Sequence, residues 1–154
     1  MKRRDIFKTI GLATLGVAVG STLLSSTTAE AQEIEQKKLI INRMKMSYAD
    51  PANPTDHELK HTPDISFKEK DANGFTRVII TIGKKGIVHP TLENHWIDYL
   101  TIYVNDKLVS NMVMENGPIR GFGEHFLNLK TGDKVKVEAG CNLHGIWENT
   151  VEFV

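Results

Sequence analysis

The chain has 154 residues, enough for one domain, and its 40% hydrophobic and 25% charged content is that of an ordinary globular protein. Nineteen basic side chains balance nineteen acidic ones, so no global footprint for nucleic acid or an anionic membrane is present. A single cysteine excludes an internal disulfide framework.

The N-terminus has the pattern of an export signal. Lys2, Arg3 and Arg4 precede an uncharged stretch from Thr9 to Leu24, and Ala29-Glu30-Ala31 supplies a small-residue cleavage site. The arginine pair followed by Ile6-Phe7-Lys8 resembles the twin-arginine type. The alternative, a membrane anchor, is disfavoured because the stretch is short and carries several Gly, Ser and Thr residues. Residues 1–31 are therefore expected to be a signal, with the remainder exported to a periplasmic or other extracytoplasmic space and without stable membrane association after cleavage. That route carries folded proteins, often with a metal installed, and ligation is one way to protect an exported lone thiol.

From Gln32 to Met46 the apolar residues fit a short amphipathic helix or a first strand equally well. Ala49 to Asp56 is a connector, broken by Pro51 and Pro54, so residues 32–56 form an N-terminal segment ahead of a domain over 57–154. His57 to Pro63 is expected as loop. Strands are expected over Asp64–Lys70 and Phe75–Ile82, with Asn73-Gly74 turning between them. Further strands are expected over Trp96–Val104, Leu108–Met114, Phe126–Leu129, Lys134–Ala139 and Trp147–Val154. In the third, Trp96, Asp98, Leu100, Ile102 and Val104 alternate onto one face, and both faces are apolar enough to be covered. About seven short strands, with no long helix after the leader, give an all-β, immunoglobulin-like antiparallel sandwich.

Chemistry concentrates in histidine and cysteine. Cys141 and His144 stand three residues apart and could reach one metal ion from a single turn, although a lone cysteine is more often a small buried hydrophobe. His61, His89 and His95 also flank predicted strands, and a sandwich gathers its loops at two ends. Composition alone leaves open whether these are ligands or ordinary histidines.

Three motifs, in order, resemble those of the superoxide reductases of the desulfoferrodoxin and neelaredoxin family. They are Lys60-His61-x-Pro63, His89-Pro90-x4-His95-Trp96-Ile97 and Cys141-Asn142-x-His144-Gly145-x-Trp147. The resemblance implies one iron ion, cycling between Fe2+ and Fe3+, with His61, His89, His95 and His144 in a plane and Cys141 axial. It implies one-electron reduction of superoxide to hydrogen peroxide, with Lys60 as the catalytic cation that attracts the anion. A thiolate with imidazoles suits iron better than a hard-oxygen metal.

The family's additional four-cysteine iron module is absent, so the resemblance is to the one-iron type. Electrons would come from an external donor, a rubredoxin-like or other small redox protein, and homo-oligomers are known among relatives. Where the family has a glutamate that caps the oxidised iron, this chain has Leu59, with Glu58 one residue earlier. The expectation is an oxidised centre that is solvent- or hydroxide-ligated, or open, without carboxylate capping. Trp96 and Trp147 are expected to pack around it, and Met112 and Met114 to lie in the core. His57 and His125 match no motif and are expected at the surface.

Two rival readings stand beside this one. A blue-copper carrier would want a methionine soon after its second histidine, and none follows His144. A non-catalytic redox-sensing, iron-sensing or sulfur-carrier module is the other alternative.

Overall fold

A computed structural model describes residues 20–154. Most of the expected export signal, including its arginine pair, lies outside the described residues. The chain divides into two units, Met1–Glu35 and Gln36–Val154. Helix α1 (Gly20–Lys38) carries Ala29-Glu30-Ala31, and its side chains from Ala29 to Glu35 are exposed. Among the described residues no helix is long and apolar enough to cross a membrane.

The second unit holds a short helix, α2 (Asp56–His61), and seven strands: β1 (Pro63–Lys70), β2 (Thr76–Ile82), β3 (Ile97–Val104), β4 (Lys107–Val113), β5 (Phe122–Leu127), β6 (Lys134–Cys141) and β7 (Gly145–Glu152). They form two sheets, ordered β1-β2-β5 and β4-β3-β6-β7, with antiparallel pairing between neighbouring strands in both. This is the expected two-layer sandwich.

Alternation builds the core. Val78, Ile80 and Ile82 point inward from β2, and Val135, Val137, Ala139 and Cys141 point inward from β6. Each fully buried Val, Leu or Ile contributes on the order of 1.5–3 kcal/mol. Cys141 is thus the last inward residue of a core strand, at the edge where the hydrophobic interior meets the loops.

β3 departs from strict alternation. Ile97 pairs with Cys141 and Tyr99 with Gly140, so Asp98 is an extra residue in the ladder. The bulge puts Ile97 in the core beside Cys141, then returns Leu100 and Ile102 to the interior. Asp98 does not share the face of Leu100 in a regular strand, as simple alternation had implied. It pairs with Arg43 instead.

Three other expectations change. The segment expected as loop before Pro63 is α2, stabilised by a capping box in which Thr55 and Glu58 bond reciprocally. β5 starts four residues earlier than expected, at Phe122, and ends two residues earlier, at Leu127; it is an edge strand whose Phe122 and Phe126 are exposed. The ambiguous stretch after Gln32 is helical to Lys38 and then extended. From there it is pinned to the cysteine loop: the Ile41 N–H donates to the Asn142 carbonyl at 2.9 Å, and the Met46 N–H to the Ile146 carbonyl at 2.8 Å. Lys45 and Ile146 form a parallel bridge, which covers the exposed edge at the start of β7.

Candidate metal centre

The start of β1, the end of β2, the start of β3 and the β6–β7 turn all meet at one end of the sandwich. Each delivers part of a cluster. α2 contributes His61 from its last turn, the loop between β2 and β3 contributes His89 and His95, and the β6–β7 turn contributes Cys141 and His144.

Backbone carbonyls fix which ring nitrogens face inward. The His61 Nδ1–H donates to the His57 carbonyl at 2.6 Å, and the His89 Nδ1–H to the Pro90 carbonyl at 2.7 Å. In both rings Nε2 is then the lone-pair nitrogen. His89 Nε2 is buried and has no hydrogen-bond partner. A carbonyl bond on one ring nitrogen with the other free is the arrangement in which protein imidazoles hold metals.

His144 Nδ1 lies 3.0 Å from His61 Nε2, 3.1 Å from His95 Nε2 and 3.5 Å from Cys141 Sγ. One proton on that nitrogen can satisfy only one of three neighbours. Imidazole ligands at right angles, each about 2.1 Å from an ion, stand about 3.0 Å apart. The donor atoms of His61, His89, His95 and Cys141 lie within 4.8 Å of one another. All five expected ligands are therefore brought together, and the donor set fits a metal ion of the kind that accepts nitrogen and sulfur.

Electrostatics prepare the nitrogens. Burial lowers the His61 and His89 pKa values to about 3 and that of His95 to about 4, and it lowers His144 as well. These rings are neutral at physiological pH, the form that binds metal. Burial pushes the Cys141 thiol up, opposed by the backbone N–H groups of Leu143 and His144 at its sulfur. A bound cation reverses that balance and favours the thiolate.

Lys60 is half-buried on α2 and pairs with no carboxylate among the described residues. After burial, its charge is among the influences that lower the pKa values of His89, His95 and His144. It therefore acts as a local cation at the cluster. Leu59 is buried. Glu58 accepts from the Ala49 N–H at 2.6 Å, the Thr55 N–H at 2.7 Å and the Thr55 hydroxyl at 2.9 Å. Its carboxylate is committed to the helix cap, and neither histidine cluster includes a carboxylate among the described residues.

Three further residues shape the site. Trp147 stacks on His61 at 5.5 Å and donates its indole N–H to the His144 carbonyl. Trp96 is buried too, but its indole donates to the Met114 carbonyl, so of the two tryptophans only Trp147 makes a ring contact with the cluster. Asn142 belongs to the third motif, with no role of its own in the sequence reading. Its Oδ1 accepts from the Trp96 N–H, while its amide donates to the carbonyls of Leu39 and Asn94. It ties the N-terminal segment, the His95 loop and the cysteine turn together.

The two unassigned histidines part company. His125 is half-buried in β5 rather than at the surface, with a buried Nε2 that has no partner. His57 is exposed, as expected, yet its ring lies 4.4 Å from that of His61. The sequence signal for that contact was present in the four-residue spacing between them, once Thr55-x-x-Glu58 is recognised as a helix start.

Comparisons with known proteins agree with this geometry. The desulfoferrodoxin family model matches residues 53–150. A putative superoxide reductase from Methanocaldococcus jannaschii is 30% identical over 126 residues, covering 74% of this chain and 93% of the relative. A superoxide reductase from Pyrococcus horikoshii is 30% identical over 104 residues, covering 61% of this chain and 87% of the relative. Among solved structures, a superoxide reductase (neelaredoxin) from Ignicoccus hospitalis is 28% identical with a TM-score of 0.51, covering 60% of this chain and 79% of the other. A superoxide reductase from Nanoarchaeum equitans shares the fold at 18% identity and a TM-score of 0.54, with 73% of this chain and 100% of the other covered. The family match, the M. jannaschii relative and the clustering of all three motifs lead to one statement: this chain belongs to the desulfoferrodoxin family.

Proposed function

We infer that this chain is a superoxide reductase, which passes one electron to superoxide and, with two protons, yields hydrogen peroxide and no dioxygen. The observation that carries this reading is the convergence of four neutral imidazoles and one thiol, with a buried His89 nitrogen that lacks any partner. The metal is read as a single iron, supported by the mixed nitrogen and sulfur donors. When bound, iron supplies a ferrous–ferric couple able to deliver the electron.

The protein's own residues do the rest. His61, His89, His95 and His144 would hold the ion through neutral rings, so the protein would add one negative charge at most, from Cys141. The Leu143 and His144 N–H groups at the sulfur stabilise that charge. Lys60 presents the cation that draws an anionic substrate toward the site. Trp147 shields the His61 side of the cluster from water.

Electrons come from a separate small redox protein. The export reading rests on Arg3, Arg4 and the apolar stretch up to Leu24, and it places turnover outside the cytoplasm.

A pulse of superoxide mixed with the reduced, iron-loaded chain tests the activity. The expected yield is one hydrogen peroxide for each superoxide consumed, with loss of activity and of the thiolate-to-iron absorption band in Cys141→Ser. A peroxide yield halved by dioxygen release would identify a dismutase instead.

A further inference from the structure

Five histidines crowd this end of the sandwich, and one of them, His57, belongs to none of the motifs. Helix geometry explains its position. His57 and His61 are four residues apart in α2, so their side chains share one face. The His57 ring lies 4.4 Å from that of His61, 4.8 Å from that of His144 and 6.1 Å from that of Trp147. A donor nitrogen from each of His57, His61 and His144 falls within 4.8 Å of the other two. His57 is exposed while His61 is fully buried, which puts His57 on the solvent side of the ligand shell.

Neither neighbour of His57 on α2 that could take that role is available. Leu59 is apolar and buried, and the Glu58 carboxylate is bound to the N-terminus of α2. The His57 ring makes no hydrogen bond among the described residues, so no polar contact has to break for it to turn. An exposed side chain changes rotamer within nanoseconds. A neutral imidazole is a competent donor to ferric iron.

Building on the iron-dependent reading above, we propose that His57 is an exchangeable sixth ligand of the oxidised metal centre. Rotation of its side chain brings one imidazole nitrogen to the ion held by His61, His89, His95, His144 and Cys141. Lower charge on the reduced ion weakens that bond, so the position opens to superoxide when the centre is ready to react. In the oxidised protein His57 keeps other anions out.

The test uses the full-length, iron-loaded, oxidised protein with histidine labelled in heavy nitrogen. Pulsed electron paramagnetic resonance counts imidazole nitrogens on the iron, and azide titration reads access to it. The expected count is five in the native protein and four in both His57→Ala and His57→Phe. If His57 occupies the position in nine of ten molecules, azide binds about tenfold tighter once it is gone. The phenylalanine variant keeps the ring contact with His61 but lacks a donor, so a native azide affinity in that variant alone would reduce His57 to a packing role and overturn the proposal. Equal nitrogen counts and equal azide affinities in all three proteins would also overturn it, while leaving the iron reading intact. A chain that takes up iron without a thiolate-to-iron band refutes the parent reading and this proposal with it.

Discussion

His89 carries the sharpest constraint at the residue scale. Its Nδ1–H is spent on Pro90 and its Nε2 faces inward with no partner, so the ring has one use left. The same burial sets a pH response for the metal-free chain. His61 and His89 have folded-state values near 3, against 6.5 for an ordinary histidine. Between those values the unfolded chain binds more protons than the folded one, so stability falls as pH drops from about 6.5 toward 3. Each histidine contributes at most about 1.4 kcal/mol per pH unit in that window. Urea unfolding of metal-free protein should therefore give a lower midpoint at pH 5 than at pH 7.5, and His89→Gln should flatten the dependence. An unchanged midpoint would mean these rings are not buried as neutral bases. Lys60 makes a separate demand, because its charge is close to the site and unpaired. Lys60→Ala should slow superoxide capture about tenfold at low salt and weaken the ionic-strength dependence, measured by pulse radiolysis. A rate that does not change would remove steering from its role.

At the scale of elements, α2 determines how well the site is built. It is six residues long, too short to persist without its cap, and it positions His57, Lys60 and His61 together. The Glu58 N–H donates to the Thr55 hydroxyl oxygen, the Thr55 N–H and hydroxyl donate to the Glu58 carboxylate, and together these bonds hold its first turn. Thr55→Ala should cost about 1 kcal/mol of stability and loosen metal binding through His61, whereas Glu58→Gln should leave the metal spectrum unchanged. A spectral change in Glu58→Gln would make that carboxylate a ligand after all. The clustering of His61, His89, His95, Cys141 and His144 was legible in the sequence because motif spacing survives whatever geometry joins the motifs. α2 was hidden because Pro63 and a short polar run suggest a loop, although Thr55-x-x-Glu58 marked a helix start. The β3 bulge was hidden for a different reason: Asp98 satisfies strict alternation locally, and only pairing with β6 shows the extra residue. The start of β5 was missed because Gly123 weakens a strand signal that pairing with β2 restores. The tying role of Asn142 was not legible because the three partners of its side chain come from segments far apart in the chain.

At the scale of the domain, the site closes the sandwich at one end with ligands from His61 to His144, spread over most of the second unit. Such a donor set exists only when both sheets are assembled, because His61 precedes the β1-β2-β5 sheet and Cys141 ends a strand of the other. Metal binding is then coupled to folding of the whole sandwich rather than to one loop. A ligand that binds only the folded state adds about 2.7 kcal/mol at a hundredfold excess over its dissociation constant. For a domain of roughly 100 residues this raises the melting temperature by on the order of 10 °C or more. Calorimetry of the protein before and after chelation should show one cooperative transition that moves down as a unit when the metal is removed. Cys141→Ser should melt close to the chelated protein and respond little to added iron. If chelation instead left the main transition in place and released only a small low-temperature step, the ligands would belong to a locally folding loop cluster. The cross-sheet origin of His61 and Cys141 argues against that outcome, since Cys141 cannot leave the cluster without opening the core it shares with Ile97.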